Sequence, residues 1–166
     1  MHDKLTETDI RKMQDEIDYR KTEVRTRALE DLKEARAQGD LSENFEYYAA
    51  KKFKNRNESR IRYLEKMIKT AQVIDDSSAE DEVGMNNTVT VEYQDDKSTQ
   101  KLKIVTTVRA DSLEGYITPE SPIGKALMRR KVGDLVHIRT DNGYEYDLKI
   151  IALENTDDSG DVINSY

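Results

Sequence analysis

Residues 39–71 read GDLSENFEYYAAKKFKNRNESRIRYLEKMIKTA. From Tyr47 onward one face runs through Ala50, Lys54, Asn57, Ile61, Leu64, Ile68 and Ala71. The steps alternate strictly between three and four, the seam of a helix laid against another helix. The spacing predicts a helix over about 43–73. Lys54 and Asn57 stand in mid-seam, where polar groups cost stability but fix register.

On the N-terminal side, Gly39 stands where a helix usually needs a left-handed residue to stop. Before it, residues 6–37 place Ile10, Met13, Ile17, Val24, Ala28, Leu32 and Ala35 on one stripe, interrupted by Arg20 and Asp31. A second helix is predicted there. So short a connection makes the two helices antiparallel neighbours. At ~1.5 Å per residue the first would be about 48 Å long. The expectation is an antiparallel coiled-coil hairpin over residues 1–75 with its tip near 39–47.

On the C-terminal side the pattern changes. DDSSAEDEVGMNN, residues 75–87, holds five acids and reads as a linker, placed at 76–87. TVTVEYQ (88–94) and KLKIVTTV (101–108) alternate and are β-branched, so both are predicted strands. Ser121-Pro122 opens a short helix over about 122–129, with serine as cap and proline at the first position. LVHIRT (135–140) and YEYDLKIIAL (144–153) flank Asp141-Asn142-Gly143, a strong hairpin signal. Residues 88–153 thus form a small antiparallel sheet with a short helix, giving an α+β protein of two domains. The tail, 154–166, has four acids and few apolar residues and is expected to be frayed.

Composition bounds the chemistry. Charged residues make up 37% of the 166, above the roughly 25% of an average domain, which suits long solvated helices. A net charge of -7 argues against a general DNA-coating protein. The absence of cysteine excludes disulfides and thiolate metal sites. His2 and His137 are too few for a histidine-built zinc site. No apolar run is long enough to span a bilayer and the N-terminus lacks a signal-peptide pattern, so a cytoplasmic protein without membrane contact is expected.

Two constellations carry chemistry. The first is the tip, where Asp40, Glu43 and Glu46 place three carboxylates within seven residues. Magnesium keeps several waters and takes one or two protein carboxylates. Two tip carboxylates therefore make an unfinished site, useful when another macromolecule supplies the remaining ligands. The plainer meaning of Asp40 and Glu43 is a capping box, Asp capping the second helix and Glu reaching back. The second is the flank 51–69, with eight cations against two acids, interleaved with Phe53 and Tyr63 and preceded by Tyr47 and Tyr48. Cations track phosphates and aromatics stack on bases, the combination used for single-stranded nucleic acid. A merely solvated helix face is the commoner meaning of such a run.

GDLSENFEYYAAKK closely resembles the tip motif of the Gre transcript-cleavage factors, and ESPIGKAL followed by KVGD resembles their second signature. AQVID at 71–75 matches the end of their coiled coil, and the blocks lie in the right order over about residues 5–153. The resemblance implies a C-terminal domain similar to FK506-binding proteins, docking on bacterial RNA polymerase through Ser121, Pro122, Ile123 and Gly124. It implies that the hairpin enters the secondary channel of a backtracked polymerase. There Asp40 and Glu43 would help hold a magnesium ion shared with the polymerase, none being bound by the free chain. The polymerase, not this chain, would hydrolyse the nascent RNA 3′ end. Gly39, Ser42, Asn44, Glu46 and Tyr47 would support the tip, and Lys51, Lys52, Lys54, Arg56 and Arg60 would contact RNA. The factor would act as a monomer.

Phe45 departs from the alanine expected between Asn44 and Glu46, and Lys52 and Lys54 stand where acids are frequent. Arg25-Thr26-Arg27 replaces the usual Arg-Pro of the first helix. A channel binder that inhibits without cleavage would share most of these features. A prolyl isomerase would rest on fold analogy alone, and fold does not imply function.

Overall fold

The structure, a computed structural model, describes residues 2–39 and 44–165. It divides into two compact units. One holds Asp9–Ala71; the other joins Lys4–Thr8 to Gln72–Ser165.

In the helical unit the first helix consists of α1 (Glu7–Tyr19), a π-helical stretch Arg20–Val24 and α2 (Arg25–Arg36). All run on without a break in helical backbone, in keeping with the single stripe of residues 6–37. The second helix is α3 (Phe45–Thr70). Met13, Ile17, Ala28, Leu32 and Ala35 of the first helix are buried, as are Ile61 and Leu64 of α3. The pairings Arg20 with Asn57 and Glu16 with Arg60 run in opposite senses along the two chains, which makes the hairpin antiparallel.

The seam is polar at its middle for a specific reason. Asn57 is buried, donates to the Arg20 carbonyl at 3.2 Å and accepts from Arg20 Nη1 at 3.1 Å. The π turn lets Arg20 O accept the Arg25 amide five residues on while still serving Asn57. Such bulges widen the helix and aim a carbonyl sideways. Glu16 then bridges Arg20 at 2.7 Å and Arg60 at 2.8 Å. Burial pushes the Glu16 carboxyl up, but hydrogen bonds from Arg60 and Arg20 outweigh it and hold its pKa below the ordinary value.

α3 is shorter than the predicted 43–73. Gln72–Val73 instead forms strand β2, parallel to β1 (Lys4–Leu5). The remaining strands are β3 (Thr88–Tyr93), β4 (Thr99–Ile104), β5 (Tyr116–Ile117), β6 (Leu135–Arg139) and β7 (Glu145–Glu154), in the order β5-β4-β3-β7-β6. The pairs are antiparallel except β4 with β5, so the sheet is mixed rather than wholly antiparallel. The predicted strand 101–108 ends at Ile104, because the chain turns into a 3-10 turn at Thr107–Arg109. Val89, Val91, Leu102, Ile104, Val136, Ile138, Leu148 and Ile150 fill the core under Leu127 of α4 (Pro122–Leu127). Gly143, with φ of +86°, supplies the positive φ of the β6–β7 turn.

Two polar segments contradict their composition. The expected linker plants Val83 in the core and buries Asn86 and Asn87, and Val83 exchanges backbone bonds with Arg129 and Arg130. The tail expected to fray is tied down: Asp158 and Asp161 are buried on Arg109, and Asn164 bonds the Val108 and Ala110 carbonyls. Polar groups enter a core when partners satisfy them; Asn87 finds its partner nearby in the Gly84 amide, whereas Asn86, Asp158 and Asp161 meet Arg109 from far off in sequence.

Candidate functional site

α2 closes with Ala37 as its cap, and Gly39 follows with φ of +119°, a conformation natural to glycine. α3 opens on Asn44. Its Oδ1 accepts the Tyr47 amide at 2.9 Å, and its Nδ2 donates to the Ala35 carbonyl at 2.6 Å. One side chain thus caps α3 and ties it to the end of α2. The cap position belongs to Asn44, so the capping-box reading of Asp40 with Glu43 is corrected. Asp40, Glu43 and Ser42 themselves lie outside the described residues.

The remaining tip residues fall into place around that cap. Tyr47 is half-buried, with the Arg36 guanidinium 5.7 Å above its ring, and its ring meets that of Tyr48 edge-on at 5.5 Å. Glu46 lines the opposite side of the hairpin with Asp31 and Glu34. Phe45, the first residue of α3, is 87% exposed.

The basic patch divides. Lys51, Lys52 and Arg56 are exposed and line one shallow groove with Tyr48, Asn55 and Ser59. Lys54 is half-buried, on the seam side. Arg60 is only 4% exposed and bound to Glu16, so it is a seam residue and not a surface cation. Helical spacing puts 60 on the seam side with 57, 61 and 64, a consequence hidden by its charge.

In the C-terminal signature, Ser121 to Gly124 build the start of α4. Ser121 caps α4, accepting the Gly124 amide at 3.1 Å and donating to the Thr118 carbonyl at 2.7 Å. Pro122 occupies the first turn and Ile123 packs on the core. Gly124 is buried so close to Thr118 O that a Cβ would come within 1.9 Å. These residues position α4.

What sequence reasoning missed is the Arg36–Tyr47–Tyr48 stack; the adjacent tyrosines were its only signal.

Two antiparallel helices, followed in sequence by a small mixed-sheet unit, define a class: a helical-hairpin protein with a separate sheet domain. Residues 4–73 match the family model described as Transcription elongation factor, N-terminal, and residues 78–155 match Transcription elongation factor, GreA/GreB, C-term. The chain belongs to the GreA/GreB family of transcription elongation factors. Transcription elongation factor GreA of Thermoanaerobacter pseudethanolicus is 41% identical over 150 residues, covering 90% of this chain and 95% of that one. The GreA of Bacillus licheniformis is 40% identical over 150 residues, covering 90% and 94%. Among solved structures, GreA factor homolog 1 of Thermus thermophilus matches 93% of this chain and 100% of its own at 25% identity, with a TM-score of 0.44. No described helix is long and apolar enough to cross a membrane.

Proposed function

We propose that this elongation factor acts through bacterial RNA polymerase, stimulating hydrolysis of the nascent RNA 3′ end in backtracked complexes. The observation that carries the proposal is the tip. Asp40 and Glu43 sit in the family's tip motif, and Asn44 has taken over the capping work that would otherwise explain them. Two carboxylates suit magnesium, which accepts one or two from protein. Asp40 and Glu43 would hold the ion jointly with the polymerase. When bound, it supplies Lewis-acid activation of water and clamps the reacting oxygens.

The chain's own part is to deliver and orient. The Glu16–Arg60 and Arg20–Asn57 contacts set the register of the hairpin, and Asn44 anchors the turn to α2. Lys51, Lys52 and Arg56 supply an exposed cationic track for RNA phosphates. Ser121, Pro122 and Ile123 belong to the element that meets the polymerase.

The test is transcript cleavage in a stalled, backtracked complex with the parent chain, Asp40→Asn and Glu43→Gln. Both variants should keep polymerase binding and lose cleavage by more than the roughly 10–100-fold that even an outer-shell metal partner causes. Binding by the parent without any cleavage would instead make the chain a non-cleaving channel binder.

A further inference from the structure

Phe45 is the most exposed aromatic of the hairpin, at 87%, although a free benzyl group on a helix gains nothing from water. Tyr48, one turn further, is 50% exposed. At ~1.5 Å per residue the two positions lie about 4.5 Å apart along the axis, on the same face. Lys51, Lys52 and Arg56 continue that face. We infer that Phe45 and Tyr48 form a stacking platform for successive bases of single-stranded RNA, whose phosphates run along Lys51, Lys52 and Arg56. The inference rests on the function proposed above and adds the residues that grip the RNA by its bases.

Three observations choose RNA over a protein partner. The exposed positions of α3 carry no leucine, isoleucine, valine or methionine; apart from Ala49 their apolar surface is the rings of Phe45, Tyr48 and Phe53. Protein interfaces are depleted of lysine at their centres, yet Lys51 and Lys52 adjoin these rings. Finally, among the described residues no unpaired acid joins this face. Glu58 is held by Arg25 at 2.9 Å, Glu65 by Lys21 at 2.7 Å, and Glu46 lies on the opposite groove. Along Tyr48, Lys51, Lys52, Asn55, Arg56 and Ser59 a polyanion meets a ring, cations and neutral polar groups. Tyr48 is also held in place by Tyr47, itself beneath Arg36, which limits the ordering cost of stacking. Stacking tolerates any base because every base has a π-face, as a factor serving arbitrary transcripts requires.

The test uses full-length chains with Phe45→Ala, Tyr48→Ala, both together, and Phe45→Trp. A single-stranded RNA oligonucleotide with 2-aminopurine near its 3′ end reports stacking by fluorescence quenching. Loss of a stacking ring weakens single-strand binding about 5- to 150-fold per base. The double variant should lose quenching and bind the oligonucleotide weaker by at least about 5-fold, whereas Phe45→Trp, which keeps a ring, should retain both. In the polymerase complex the double variant should compete for polymerase like the parent while its cleavage rate constant falls. Undiminished quenching in the double variant overturns the platform. So does a loss of polymerase affinity with quenching intact, which would place the rings on protein. Failure of the parent itself to bind polymerase or stimulate cleavage sinks the proposed function instead, and the oligonucleotide arm still judges the platform.

Discussion

Replacing Arg109 by methionine removes one charge from a fully buried network while keeping most of the side-chain volume. Arg109 Nη1 lies 2.8 Å from Asp161 Oδ2 and 2.8 Å from Asn86 Oδ1, and Nη2 lies 3.8 Å from Asp158 Oδ2. Removing one partner of a buried pair costs about 3–5 kcal/mol, because a buried charge is left uncompensated. Here Asp161 keeps Lys103 at 2.9 Å and Asp158 keeps the Thr6 hydroxyl at 2.9 Å. The cost therefore belongs at the low end, about 3 kcal/mol. For a unit of about 100 residues each kcal/mol lowers the melting temperature by about 4–8 °C, so the fall should be roughly 12–24 °C.

The assay is thermal melting followed by amide resonances of β3 and β7, with hydrogen exchange along 156–165. Asp161 supplies a pH check. Burial pushes its carboxyl up, but hydrogen bonds from Lys103 and Arg109 outweigh that and hold the pKa below the ordinary value. Its stabilisation is present above the unfolded value of about 4 and is lost as pH falls through the depressed folded value. The gap between parent and Arg109→Met should thus close below about pH 4. The double variant Arg109→Met/Asp158→Asn, which removes one charge of each sign, should recover part of the loss. A cost under about 1 kcal/mol, the size of an exposed pair, would refute the reasoning. So would a gap that persists in acid, or a double variant no better than the single.

Asn44→Ala should lose about 0.5–2 kcal/mol of cap and a further ~1 kcal/mol with the bond to Ala35. Asn44→Asp keeps the cap oxygen and should lose only the second part, both read from melting and exchange of the Tyr47 amide. His137 is exposed between Asp147, with its Nδ1 2.8 Å away, and Glu145, 3.5 Å from its Nε2. Those two hydrogen bonds, Asp147 first, raise its pKa above the ordinary value. Its contribution to stability is present below about pH 6.5 and fades as pH rises through the raised folded value. An NMR titration of the ring with a midpoint at or below about 6.5 would contradict that.

Much of the hairpin was legible because three-and-four spacing survives polar interruptions. Asn57 and Arg20 broke the stripe in the sequence and meet each other in the structure. The bond between them was invisible, since 37 residues separate the two. Arg60 misled by its charge: composition placed it with the surface cations, whereas the helical angle placed it in the seam. The capping box misled by competition, as Asn44 lies one residue beyond Glu43 and offers the same oxygen one position later. In the sheet unit the strands and the Asp141-Asn142-Gly143 turn followed from alternation and turn chemistry. Residues 83–87 and 156–164 did not, because acids and asparagines read as solvated until Arg109, Lys103 and Thr6 come to meet them. Of the candidate site, the residue types were readable; the anchoring of Tyr48 through Tyr47 and Arg36 was not.

A purely greasy seam has several nearly equal alignments, since leucine slides past leucine with little penalty. The Asn57–Arg20 clasp and the Glu16–Arg60 bridge tolerate one. A slip of a single turn would carry the end of one helix about 5.4 Å past the other, while reactive groups must be held within about 0.5 Å. The polar middle of the hairpin therefore holds the two helices at one alignment. It gives up some cohesion so that the two helix ends keep one fixed offset.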